Sequence, residues 1–122
     1  MEIVVWVLQV LLAVAFLGAG VMKLVRPKPA LVGAGMGWAE SYSDAGVKGI
    51  GALEVLGAIG LVLPAVTGIA PILTPLAALG LALVMAAAVV VHVRRKEQIV
   101  APLVLGVLAL VVAVLRFGPY PL

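Results

Sequence analysis

The chain has 122 residues, of which 66% are hydrophobic and only 11% charged, with mean hydropathy +1.36. Soluble domains are roughly a quarter charged, so this composition excludes an ordinary soluble protein and leaves a single membrane domain over residues 1–122. The net charge of +3 does not indicate nucleic acid, because the basic residues gather at the edges of apolar runs. With no cysteine, disulfides, thiol catalysis and thiolate metal sites within the chain are excluded.

A bilayer span needs about 20 apolar residues, and the chain holds four such runs. Span 1 is expected over residues 3–25. Its length and the acidic Glu2 argue against a cleaved leader. Trp6 is placed to anchor at the outer interface, and Ala15 and Ala19 form a small pair one turn apart, close to Gly18 and Gly20. Arg26-Pro27-Lys28-Pro29 stops this helix. Residues 30–43 are too short to span and read as an interfacial or partly re-entrant segment, with Trp38 and Tyr42 at headgroup level.

Ser43 and Asp44 are N-cap candidates for span 2, residues 45–66. Thr74-Pro75 reads as N-cap and first helical residue of span 3, residues 75–93. A short basic loop, Arg94-Arg95-Lys96, leads to span 4, residues 99–117, with Pro102 tolerated in its first turn. No internal repeat is visible. Seven of the eight Lys and Arg residues flank the first and third connections, and only Arg116 falls at the other side. The positive-inside rule then makes the first side cytoplasmic, in an inner (plasma) membrane protein with both termini outside.

Span 2 contains a carboxylate, Glu54, roughly 13 Å from the helix start at 1.5 Å per residue. A charge at that depth costs about 2.5–3.5 kcal/mol on insertion scales. Gly51, Gly57 and Ala58 surround it, a small-residue face that admits another helix. Side chains lean toward the helix N-terminus, so Lys23 and His92 lean back into the membrane and Glu54 leans toward them. A Lys23–Glu54 pair with His92 as neighbour is expected. Arg116 is expected at the opposite headgroup boundary. Each residue also has a plain structural reading: Glu54 fixing helix register, Lys23 snorkelling, His92 bonded to a backbone carbonyl, Trp38 anchoring at the interface. One His and one Glu do not make a metal site.

Three stretches carry a resemblance. Residues 16–24 end in Gly20-Val21-Met22-Lys23-Leu24, residues 51–61 hold Glu54 among glycines, and residues 86–92 end in Val91-His92. In that order they resemble the DoxX-like membrane proteins across nearly the whole chain. The resemblance implies a four-transmembrane-helix bundle with a short interfacial segment between helices 1 and 2. Relatives include small subunits linked to thiosulfate:quinone oxidoreduction, a membrane component of thiol and superoxide defence, and receptor-assembly chaperones.

Two functions are weighed. One is a non-enzymatic subunit or assembly factor, favoured by small size and the lack of a catalytic motif. The other is a quinone- or small-ligand-binding subunit of a membrane oxidoreductase, with Lys23, Glu54, His92 and Trp38 as ligand or partner contacts and a quinone or lipid as ligand. Besides lipid, the expected partner is a second copy or another membrane protein, docked through the row Ala78, Ala82 and Ala86 of span 3.

Overall fold

A computed structural model describes residues 1–122 and is all-helical. Helix α1 runs Glu2–Val25, α2 Lys28–Gly33, a 3-10 turn Gly37–Ser41, α3 Asp44–Thr67, α4 Leu73–Arg94 and α5 Val100–Phe117. Helices α1, α3, α4 and α5 are long and apolar enough to cross a membrane. The shortest, α5, has 18 residues, or roughly 27 Å against a hydrocarbon core of about 30 Å.

Local chemistry sets the boundaries. Arg26 is driven to extended backbone (φ −96°, ψ 142°) by the following proline, and α1 ends there. Pro29 then falls in the first turn of α2, where its missing N–H has no helical acceptor to lose. The interfacial segment is thus itself helical. Ser43 caps α3, its hydroxyl accepting the Gly46 N–H at 3.0 Å. Gly68, at φ +73°, closes α3 in the left-handed conformation.

One expected boundary is wrong. Helix α4 starts at Leu73, so Thr74 is not its cap. Thr74 is fully buried and its hydroxyl donates to the Gly60 carbonyl at 2.9 Å. The reason lies in α3. Pro64 sits inside that helix without an N–H, so the carbonyl four residues earlier, that of Gly60, lacks its helical donor. In lipid such a group must be satisfied by the protein, and Thr74 satisfies it.

The four long helices alternate in direction and pack as a ring. The α1–α3 and α4–α5 faces are the most extensive, α3–α4 is intermediate, and α1–α5 is the slightest. The core runs through Leu12, Phe16, Leu61, Leu81 and Val112. A smaller cluster, Leu31, Ala39 and Val47, seats α2 and the 3-10 turn on the foot of α3. The alanine row of span 3 is divided by this packing. Ala78 is buried in the core and Ala82 packs against it, whereas Ala86 is exposed. The row is therefore not one free face.

Candidate functional site

The site begins with a helix crossing. Gly20 of α1 and Gly51 of α3 meet backbone to backbone: a β-carbon on Gly20 would stand 2.7 Å from the Gly51 carbonyl oxygen, and one on Gly51 2.8 Å from that of Gly20. Real β-carbons do not approach so closely, so only glycine fits at either position. Gly18, by contrast, faces open space, and Ala15 is exposed. The crossing is made by Gly20, not by the Ala15/Ala19 pair.

Lys23 and Glu54 each lie one turn beyond this crossing. Because α1 and α3 are antiparallel and both side chains lean toward their own N-termini, they converge across it. The Lys23 Nζ donates to Glu54 Oε1. Both residues are buried, Lys23 at 7% and Glu54 at 2% exposure. Gly57, on the neighbouring stripe of α3, serves a different contact, since a β-carbon there would overlap the Leu81 side chain of α4.

Trp38 closes the site from the loop side. Its ring centroid lies 5.4 Å from Lys23 Nζ, a cation–π distance, and Tyr42 meets it edge-on at 5.8 Å. The 3-10 turn that carries Trp38 is fastened on two sides. Lys28 Nζ donates to the Tyr42 carbonyl at 2.5 Å, and Arg95 Nη1 to the Ser41 hydroxyl at 2.6 Å. Trp38 is half-buried over the cation, a more specific position than an anchor among headgroups.

Of the four residues singled out in the sequence, Lys23, Glu54 and Trp38 stand together. His92 has a different neighbour. Its Nδ1 faces Glu97 Oε1 at 3.6 Å, longer than a hydrogen bond, and Glu97 also lies 3.3 Å from Arg95 Nε. His92 thus belongs to the cluster that orders the α4–α5 loop.

A second polar cluster lies at the opposite end and was not expected. Gln9, fully buried in α1, donates through Nε2 to the Leu61 carbonyl at 2.8 Å and accepts from Arg116 Nε at 2.6 Å. Arg116 also donates to Glu2 and, at 3.0 Å, to the Tyr120 carbonyl. The Trp6 ring centroid lies 5.5 Å from the guanidinium. Arg116 is only 2% exposed, so its side chain is packed against α1 and does not stand free at the helix end. Gln9 and Glu2 of α1 and the Tyr120 carbonyl supply acceptors for its Nε and Nη1, while Nη2 is buried without one. The available signal was Gln9, an amide in the middle of an apolar run, where polar groups need partners.

Among the surface cavities, one of about 370 Å³ lies at the Lys23 end, between α1, α2 and α3, and one of about 190 Å³ lies between α4 and α5. Glu54 lines neither.

These features define a multi-pass four-helix membrane protein with a buried ion pair near one end. The model of the DoxX-like family matches residues 7–114, and the chain belongs to that family. The match takes in Gln9, Lys23, Trp38, Glu54 and His92 and stops short of Arg116. No curated protein and no solved structure matches the chain.

Proposed function

We propose that the protein is a non-enzymatic membrane subunit or assembly factor whose Lys23–Glu54 pair holds its own bundle in register. The supporting observation is that Glu54 is sealed. It is 2% exposed, bonded to Lys23, and lines neither the 370 Å³ nor the 190 Å³ cavity. A quinone headgroup at Glu54 would have to displace the lysine and open the Trp38 cover. Residues 1–122 act as one domain in this reading. It resides in the inner (plasma) membrane with the basic end cytoplasmic and both termini outside.

The docking face in this reading is the groove between α4 and α5, lined by Ala82, Ala86, Val89, Gly106 and Val107. Its small residues allow a further helix, from a second copy or another membrane protein, to approach closely. Crosslinking in native membranes tests this. A stoichiometric membrane partner or dimer is expected, lost when Ala82 and Ala86 become leucine in a folded variant. An unaltered crosslink pattern removes this groove as the interface. Quinone retained stoichiometrically by the wild type and lost in Glu54→Gln would favour the oxidoreductase subunit instead.

A further inference from the structure

We propose that the larger cavity binds the phosphate headgroup of an anionic phospholipid. It lies where the end of α1, the start of α2 and the first turns of α3 converge, and at about 370 Å³ it falls at the lower end of the range of small-ligand sites, about 300–1,000 Å³. Lys23, Arg26, Lys28 and Lys48 line it, with Asp44 as the one carboxylate.

The charge is unbalanced in favour of an anion. Lys23 is answered by Glu54. Lys28 and Lys48 each donate to a backbone carbonyl, of Tyr42 at 2.5 Å and of Leu24 at 2.9 Å. An ammonium carries three N–H groups, so each keeps donors to spare while the carbonyl fixes its position. Arg26 forms no side-chain hydrogen bond or ion pair within the protein. Its fork of donors suits a phosphate's paired oxygens. Three cations beyond Lys23 thus face a single carboxylate. The positive end of α3 adds to the same field.

Depth selects a lipid over a free anion. The cavity is built from the ends of two spans, the level at which lipid phosphates stand. Val25 and Leu31 form its apolar wall, and Val21 and Val25 are exposed along α1 beside it. A phospholipid can place its phosphate among the cations and lay an acyl chain along those valines. Basic pockets between membrane helices bind anionic headgroups in this way. Asp44 accepts hydrogen bonds from headgroup hydroxyls, which favours a phosphoglycerol over a bare phosphate.

Native mass spectrometry of the full chain in mild detergent tests the proposal. Phosphatidylglycerol should be retained and phosphatidylcholine should not. Arg26→Gln should weaken phosphatidylglycerol binding by about five-fold, the effect of one cation near an anionic lipid. Lys28→Gln provides a second reading of the same site should Arg26→Gln fold poorly. Arg94→Gln, which removes an exposed cation at the same end but outside the cavity, should leave binding unchanged. Equal weakening by Arg26→Gln and Arg94→Gln would mean diffuse surface charge and overturn the site. Retention of phosphatidylcholine to the same extent would overturn the headgroup selectivity. Displacement of the lipid by inorganic phosphate at equal concentration would assign the cavity to a soluble anion.

Discussion

Lys23 and Glu54 each stand three residues after the glycine that their helix contributes to a common crossing, so the ion pair and the backbone contact share one geometry. Anything that widens the Gly20–Gly51 crossing also lengthens the reach from Lys23 to Glu54. Gly20→Ala and Gly51→Ala should each cost about 1–3 kcal/mol, the usual penalty for an added methyl in a filled space. Gly18→Ala, in open space, should be neutral or slightly stabilising. Thermal unfolding in detergent separates the three. A tolerated Gly51→Ala would show that the helices do not meet as closely as described.

The ion pair itself should behave asymmetrically toward single and double replacement. Glu54→Gln strands a buried ammonium and should cost about 3–5 kcal/mol. Lys23→Met with Glu54→Met removes both charges together and should recover most of the loss, because apolar residues replace a desolvated pair at little net cost. If the double variant is no more stable than Glu54→Gln, the pair is not the main interaction of either residue.

Thr74 should matter only because of Pro64. Thr74→Val leaves the Gly60 carbonyl without a donor and should cost about 1–3 kcal/mol, whereas Thr74→Ser should cost much less. In a Pro64→Ala background the restored N–H can serve Gly60 within the helix, and Thr74→Val should then be nearly neutral. The double-mutant cycle measures this coupling directly. Additive effects would disconnect the two residues.

At the other end, the expected order of damage is Gln9→Leu above Arg116→Gln. The first strands the Arg116 Nε–H, on a side chain that is 0% exposed. The second leaves Gln9 its bond to Leu61 and Glu2 its access to solvent. Arg116→Gln should instead loosen the tail, since it removes the bond to the Tyr120 carbonyl. Faster amide exchange at Tyr120, with the Lys23–Glu54 end unchanged, is the expected signature.

The spans were legible because apolar length is a one-dimensional property, and the Lys23–Glu54 pairing because it follows from depth and side-chain lean on two adjacent helices. Thr74 departs from the cap role that Thr-Pro signals locally, because the competing demand comes from a carbonyl on another helix. The Arg116 cluster was not legible because an arginine near a span end looks the same whether it reaches lipid or a neighbour. Only the return of α5 to α1 decides that. Depth and side-chain lean point His92 toward the layer of Glu54, but neither registers the turn of the following loop, which brings Glu97 to 3.6 Å from its Nδ1.

The two polar clusters also differ in when they can exist. Lys23 and Glu54 are 31 positions apart, so a ribosome adding about 5–20 residues per second separates their synthesis by roughly 2–6 s. Gln9 and Arg116 are 107 positions apart, or roughly 5–20 s at the same rate. During that interval the Gln9 amide oxygen waits without its guanidinium partner. Helix α5 therefore carries the residue that completes the polar cluster of α1, and the α1–α5 seam can close only after synthesis has passed Arg116.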